Sequence, residues 1–304
     1  MKYKKIKHLE DEAALREYVA ECDQQLDREM ENVIRGIEYS PSLRFLGLTG
    51  PTCAGKTTAA RKITAHLESR GLRVHVISVD DFYFDQEYLQ KRADADPTIE
   101  IDYDSEDTID VDLLEQKTQG LLSCKETLMP RFDFKRGMRV EGERITPCAD
   151  DVFLFEGIQI LYPRVGAILN QCGSYQSIYI APLSGLQLGS TEFHPNEIRL
   201  MRRLVRDNLH RNAPPTFTFY LWKSVRKNEE ANIFPYVHGC HACIDSTLPY
   251  EIGMLKPYLE PMLLEISQDD ASYPAAQKIL EKIRGIAPIS SRYMTENSLY
   301  KEFI

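Results

Sequence analysis

The sequence predicts an α/β fold, a parallel sheet flanked by helices, and three observations support this prediction. A short apolar run, LRFLGL from Leu43, is followed by a glycine-rich stretch. A segment rich in alanine and charged residues comes next, and a second β-branched run, RVHVISV, begins at Arg73. The order strand, loop, helix, strand begins a βαβ unit, and such units build parallel sheets.

Further periodic segments extend this organisation to both ends of the chain. Apolar residues recur at near-helical spacing over residues 9–37. The sequence YSPS, from Tyr39 to Ser42, breaks this pattern. The other predicted elements are strands at 151–157 and from 177, and helices at 9–37, 111–122, 196–211, 250–266 and 273–286. We therefore expect a helical N-terminal extension at 1–40 and one α/β domain at 41–304, with a helical tail at about 250–304.

Composition argues against several classes of partner. The chain has 304 residues, is 43% apolar, and carries 37 lysines and arginines against 46 acids, a net charge of -9. A general binder of nucleic acid or of an anionic membrane is usually basic, so we expect neither partner. No run approaches the ~18 apolar residues that span a bilayer, and no signal segment follows the basic start. Seven scattered cysteines suit a reducing compartment, so we predict a cytoplasmic protein, with homo-oligomer formation through the N-terminal helix left open.

The glycine-rich stretch predicts a phosphate-binding loop. It fits the pattern G-x-x-x-x-G-K-[ST] without a gap, and one more threonine follows: Gly50, Pro51, Thr52, Cys53, Ala54, Gly55, Lys56, Thr57 and Thr58. Glycines let successive N–H groups point at phosphate oxygens, and the next helix adds its positive N-terminal end. Lys56 can neutralise the β- and γ-phosphates, and the Thr57 hydroxyl can bind Mg²⁺. ATP and Mg²⁺ are therefore the expected cofactors.

Acidic residues follow two of the predicted strands. Asp80 and Asp81 come directly after Val79, and Glu156 follows Phe155. Because the carboxyl ends of parallel strands face the ligand crevice, these acids should lie near the phosphate loop. An acid beside ATP can bind Mg²⁺ or accept a proton from an attacking hydroxyl. One member of the Asp80–Asp81 pair is expected to cap the next element instead.

Arginines share one face of the helix predicted at 196–211. They stand at offsets of 0, 3, 4 and 7: Arg199, Arg202, Arg203 and Arg206. Fixed cations stabilise the charge on a transferring phosphoryl group, so this face predicts phosphate recognition. The alternative is a solvated face whose arginines pair with Glu197 and Asp207.

In this order the motifs resemble those of the uridine kinase and phosphoribulokinase family of P-loop kinases, over roughly residues 43–210. SVDDFY is similar to the family's Ser-x-Asp-x-Phe-Tyr segment, and implies that Asp80 is the base for the acceptor hydroxyl, with Tyr83 in the substrate site. FEGI implies that Glu156 lies near Mg²⁺, together with Thr57 and Asp80. IRLMRRLVRD resembles the arginine-rich lid helix of the family, so we expect a lid at about 190–215. The resemblance implies phosphate contacts from three of its residues: Arg199, Arg202 and Arg206.

The resemblance also implies an acceptor site. YDSEDTIDVDLL is similar to the segment whose aspartate holds ribose hydroxyls, which maps onto Asp104, with Tyr103 beside it. PRFDFKRGMR resembles the segment that lines the base pocket, and implies contacts from Phe132, Phe134 and Arg139. The tail, with SVRKNEEANIFPY and SLYKEFI, looks like a bacterial uridine kinase-like branch.

Two positions depart from the pattern of uridine kinases. Phe132 stands where they place a tyrosine, and Gly137 stands where they place a histidine. A phenyl ring can stack on a base, but it cannot form a hydrogen bond with the base edge, and a site without polar readers discriminates weakly. The residues therefore support a kinase more strongly than they support uridine as its substrate.

We expect ATP-dependent transfer of a phosphoryl group to a hydroxyl of a small molecule, in first place the 5′-hydroxyl of a nucleoside such as uridine or cytidine. A sugar phosphate or another alcohol is the alternative acceptor. A nucleotide-binding regulator without turnover is the alternative of another class, although no Asn-Lys-x-Asp motif for guanine is present.

Overall fold

The computed structural model describes residues 2–37, 43–96, 101 and 105–304. The strands are β1 (Tyr3–Lys5), β2 (Leu43–Thr49), β3 (Val74–Ser78), β4 (Thr127–Asp133), β5 (Met138–Ile145), β6 (Val152–Glu156), β7 (Ser174–Ala181), β8 (Gly185–Leu188), β9 (Thr191–Phe193) and β10 (Ala242–Asp245). The helices are α1 (Glu12–Gly36), α2 (Lys56–Glu68), α3 (Gln86–Ala95), α4 (Val111–Leu122), α5 (Pro163–Asn170), α6 (Pro195–Arg211), α7 (Pro215–Asn232), α8 (Glu251–Leu264) and α9 (Tyr273–Ile283).

The central sheet is parallel throughout the part of the chain that the structure describes. Its order is β10-β7-β2-β6-β3, with β2 in the middle. Phe45 on β2 lies opposite Phe153 on one side and Tyr175 on the other. Both faces of β2 and β6 are buried, as expected for a parallel sheet covered by helices, and this is why their sequences read as continuous apolar runs. The predicted α/β fold is confirmed.

Two apolar clusters cover the two faces of this sheet among the described residues. Alternate residues of β2 divide between them: Leu46 and Leu48 face one cluster, and Phe45 faces the other. The first cluster includes residues of α1, α2, α6, α8 and α9, whereas the second includes residues of α4 and α5. The sheet therefore holds the carboxyl ends of β2, β3 and β6 in fixed positions.

The N-terminal helix α1 packs on the body of the protein. Its buried stripe, which includes Val19, Leu26 and Met30, belongs to the first apolar cluster. Asp23, which is also buried in α1, accepts hydrogen bonds from the Tyr250 hydroxyl at 2.5 Å and from the Thr295 hydroxyl at 2.6 Å. The helix is thus joined to the C-terminal part of the chain, while the division of the chain at residue 40 stays a prediction.

The periodicity of the sequence did not predict several of the observed helices and strands. The hairpin β4–β5 carries charged residues along a partly exposed strand, MRVEGERI, so it shows little apolar alternation. Helix α7 begins with an aromatic, β-branched run, PTFTFYLW, which favours a strand by propensity alone. Strand β1 pairs with β8, about 180 residues away. Among the described residues, no helix is long and apolar enough to cross a bilayer.

Candidate active site

A pocket of about 380 Å³ lies at the carboxyl ends of β2, β3 and β6. Such a volume falls within the range of small-molecule sites. Residues from several predicted motifs line it: Thr52, Cys53, Lys56, Thr57, Asp80, Tyr83, Phe134, Glu156, Arg203 and Arg206. Helix α7 adds Val225, Asn228 and Glu229 to the wall, and the end of the chain adds Glu302. The fold therefore brings the loop, the acids and part of the arginine row together.

The phosphate loop depends on its two glycines. A Cβ at Gly50 would lie 2.0 Å from the carbonyl oxygen of Ile180, so the backbone can pass there only without a side chain. Gly55 has a φ of 99°, in the left-handed region that favours glycine, and it precedes the first turn of α2. The Lys56 ammonium lies over the loop and donates to the carbonyl oxygens of Gly50 at 2.9 Å and Pro51 at 3.2 Å.

Asp80 faces the pocket from a 3-10 turn, Val79–Phe82, that follows β3. The side-chain amide of Gln159 donates to the Asp80 carboxylate at 2.9 Å and to the Tyr83 hydroxyl at 2.8 Å. Gln159 is fully buried, so it holds both groups in one orientation. No local sequence pattern indicates this contact, because 79 residues separate the amide from the carboxylate.

Glu156, at the end of β6, lies beside Asp80 in the pocket wall. Burial raises the pKa of its carboxyl group, although Ser78 and Lys56 act in the opposite direction. Glu156, Asp80 and the Thr57 hydroxyl offer only oxygen atoms as ligands for a metal ion. Such ligands fit Mg²⁺, which is usually held by one or two carboxylates and by phosphates of the substrate.

Asp81 has a different role from its neighbour. Its carboxylate accepts a hydrogen bond from the backbone N–H of Phe132 at 2.9 Å and so joins the turn after β3 to β4. Burial raises the pKa of this carboxyl group as well. Asp81 is therefore in a structural contact with a distant strand, whereas we expected one of the two acids to cap the next element.

The prediction that Arg199 contacts phosphate does not agree with the structure. Its guanidinium is 1% exposed and binds both oxygens of Glu229, at 2.5 and 2.6 Å. It also donates to the carbonyl oxygen of Thr52, in the phosphate loop, at 3.2 Å. The guanidinium that we expected to bind a phosphate is thus paired with a carboxylate of α7. Through its bond to Thr52, Arg199 supports the backbone of the phosphate loop.

Arg202 is corrected for the same reason. It is fully buried and pairs with Glu251 of α8, at 2.7 and 3.1 Å. One of its N–H groups donates to the carbonyl oxygen of Cys53, again in the loop, at 3.2 Å. We therefore assign Arg199 and Arg202 to the support of the loop rather than to contact with a reacting phosphate.

The other half of the arginine row lines the pocket. Arg203 and Arg206 are joined by Arg211, which the helix pattern did not single out. Asp207 accepts from Arg203 at 3.1 Å and from Arg206 at 2.7 Å, and it lies 3.5 Å from Arg211. One carboxylate among three guanidinium groups leaves a net positive wall, which suits a polyanionic ligand.

Aromatic rings form the far end of the pocket. The ring of Phe134 is 65% exposed and lies 6.4 Å from that of Tyr83 and 5.1 Å from that of Phe132, centre to centre. Phe132 is buried behind them, 5.6 Å from Tyr83. Tyr83 and Phe134 therefore offer ring surface to a ligand, and Phe132 supports them.

Two further positions come from the segment that was predicted to line the acceptor site. The Arg139 guanidinium pairs with Asp110 at 2.7 Å and does not line the pocket formed by the described residues. Gly137 has a φ of 63°, and a Cβ there would lie 2.3 Å from the Gln86 side-chain oxygen. A side chain at this position would need a left-handed backbone and a shift of the Gln86 side chain. The predicted residues Tyr103 and Asp104 lie outside the described residues.

This fold and pocket define a P-loop kinase architecture, and comparisons with known proteins identify the family. The model of the "Phosphoribulokinase / Uridine kinase family" matches residues 45–247, about two thirds of the chain. The protein belongs to this family. A solved structure described as a putative fructose transport system kinase from Silicibacter sp. TM1040 superimposes with a TM-score of 0.52 at 20% identity, covering 72% of this chain and 98% of that one. At this identity the likeness concerns the fold alone.

Curated relatives match over part of their length. Uridine-cytidine kinase C of Dictyostelium discoideum is 33% identical over 129 residues, which are 42% of this chain and 26% of the relative. The uridine kinase of Halobacterium salinarum is 34% identical over 118 residues, which are 38% of this chain and 48% of the relative. The chain thus spans about half the length, or less, of these relatives.

Proposed function

We propose that this protein transfers the γ-phosphoryl group of ATP to a hydroxyl of a small molecule, and that the acceptor is a nucleoside such as uridine or cytidine. The observation that carries the proposal is the shared pocket of Lys56, Asp80, Glu156 and Arg206. Phosphoryl transfer needs positioning and charge stabilisation more than covalent chemistry, and this pocket contains groups for both.

The donor end of the proposed site is the phosphate loop. N–H groups of the loop and of the first turn of α2 would bind the phosphates, with Lys56 moving from its present carbonyl partners to the β- and γ-phosphates. Thr57, Glu156 and Asp80 would hold Mg²⁺, directly or through water. When bound, Mg²⁺ neutralises charge on the phosphates. Arg203 and Arg206 would stabilise the charge that develops on the transferring group.

Asp80 is the proposed general base. Its carboxylate would take the proton of the acceptor hydroxyl as that oxygen bonds to the γ-phosphorus and the bond to the β-phosphate oxygen breaks, which leaves ADP. Gln159 donates to the Asp80 oxygen at 2.9 Å and would keep the carboxylate oriented for this transfer. A positioned base of this kind contributes roughly 10²- to 10⁴-fold to a rate.

The aromatic end of the pocket supports a planar acceptor. An exposed ring such as Phe134 can stack on a base, and stacking is worth about 1–3 kcal/mol per base. A sugar phosphate or another alcohol is the second candidate. The glycine at position 137 favours this second candidate, because it offers no side chain to form a hydrogen bond with a base edge.

An acceptor panel tests the proposal. Purified protein with ATP and Mg²⁺ is assayed for ADP release in the presence of each nucleoside, of ribose and hexose phosphates, and of no acceptor. Release that depends on a nucleoside supports the proposal, whereas release only with a sugar phosphate supports the second candidate. Hydrolysis that ignores every acceptor would contradict both and favour a nucleotide-binding regulator.

A further inference from the structure

The C-terminal segment 299–304 lies directly on the phosphate loop. Leu299, Tyr300 and Phe303 are buried, with at most 1% exposure. A Cβ at Gly55 would lie 2.4 Å from a methyl carbon of Leu299, so the leucine covers the glycine at the start of α2. The end of the chain is thus part of the wall of the donor site.

Glu302 of this segment binds the first turn of α2. Its carboxylate accepts a hydrogen bond from the Thr58 backbone N–H at 3.3 Å and lies 3.4 Å from the Thr58 hydroxyl. These groups follow Lys56 and Thr57 in the loop motif, where the N–H groups cradle the α- and β-phosphates. The carboxylate is therefore an anion at a position that suits a phosphate oxygen.

The surroundings allow Glu302 to leave without unfolding the segment. The rings of Tyr300 and Phe303 lie against the Arg202 guanidinium, whose centre is 5.5 and 5.1 Å from theirs, and the Tyr300 hydroxyl donates to Glu251. These contacts fix the backbone. Glu302 itself is half-buried, and its contacts with Thr58 are longer than typical hydrogen bonds.

We propose that Glu302 competes with the phosphates of the donor nucleotide for the first turn of α2, so that the C-terminal segment sets donor affinity. This inference rests on the donor half of the proposed function. Two anions cannot share these N–H groups, so the side chain rotates away when nucleotide binds. If the carboxylate occupies the turn about nine-tenths of the time, it weakens the apparent affinity for nucleotide about tenfold.

Calorimetric titration with Mg²⁺·ADP tests this proposal on the full chain. Glu302→Gln removes the charge at the turn, and Glu302→Ala also removes the hydrogen-bonding group. Glu296→Gln is the matched control, because it removes the same charge from an exposed position in the same part of the chain. We expect Glu302→Ala to bind about tenfold more tightly than the wild type. Glu302→Gln should fall between the two, because its amide oxygen can still accept from the Thr58 N–H, and the Glu296 variant should bind like the wild type.

A kinetic measurement gives a second readout. The Glu302 variants should show a lower KM for ATP with an unchanged kcat, because the carboxylate has left the turn once nucleotide is bound. If these variants bind nucleotide no more tightly, the inference is overturned, and a lower melting temperature would then show that Glu302 is only a helix cap. Tighter binding without transfer to any acceptor would support the inference while contradicting the proposed function. If neither the wild type nor any variant binds nucleotide, both the inference and the proposed function are overturned.

Discussion

The two halves of the arginine row on α6 differ in what their charges meet. Arg199 and Arg202 are buried, and each pairs with one glutamate from a later helix while donating to a carbonyl of the phosphate loop. Arg203 and Arg206 share Asp207 and line the pocket. One helix face thus supplies both the support beneath the loop and the positive wall beside it. Helical spacing thus identifies a common face, whereas burial decides which charges remain for a ligand.

The largest effect should come from breaking a buried pair. Arg202→Met leaves Glu251 buried without its partner, which should lower the free energy of unfolding by about 3–5 kcal/mol. Chemical denaturation measures this loss. The double variant Arg202→Met with Glu251→Met should recover part of it, because no unpaired charge remains. Unchanged stability in the single variant would contradict a structural role for Arg202.

The next effect separates the two halves by activity. Arg206→Gln should leave the melting temperature within a few degrees of the wild type and lower kcat/KM about 10²-fold, since a fixed charge at the transferring group is lost. Steady-state assays of phosphoryl transfer measure it. Arg61→Gln, an exposed position on α2 outside this pocket, is the control. An activity equal to that of the control would remove Arg206 from the donor site.

The smallest expected effect is a change in stability at low pH. Burial acts to raise the pKa of Asp207, but Arg206, Arg203 and Arg211 more than offset it, so the pKa is lowered from its usual 3.8. A lowered pKa contributes stability above the unfolded value that is lost as the pH falls through the folded pKa. The difference in melting temperature between wild type and Asp207→Asn should therefore narrow as the pH falls from 7 towards 3. A difference in melting temperature that does not change with pH would contradict this contribution of Asp207.

Local patterns explain which parts of the site the sequence predicted. The phosphate loop is a continuous motif, and Gly50 and Gly55 have backbone reasons to be glycine, so the loop could be read directly. The strand-end positions of Asp80 and Glu156 follow from the topology of a parallel sheet. Each of these inferences depends on residues that are near one another in sequence or on a general rule of the fold.

The parts that escaped prediction depend on distant pairings. Glu229 and Glu251 lie 30 and 49 residues after the arginines that they neutralise, on helices whose orientation no local pattern specifies. Glu302 meets Thr58 across 244 residues. Periodicity places a charge on a face, but it does not tell which later carboxylate will reach that face. The assignment of Arg199 and Arg202 to phosphate was wrong for this reason.

Asp80 and Asp81 differ in the same way, because Asp80 faces the pocket and Asp81 is held in a structural contact. Comparing variants of the two residues is the most direct test of the proposed chemistry. Single-turnover transfer from ATP to the accepted substrate is measured for wild type, Asp80→Asn and Asp81→Asn, with ATP binding measured separately. In Asp81→Asn the side-chain amide oxygen can still accept from the Phe132 N–H, so that variant is the matched control. We predict that Asp80→Asn binds ATP but transfers at least about 10²-fold more slowly, while Asp81→Asn stays near the wild type. Near-normal transfer by Asp80→Asn would contradict the role of Asp80 as the base.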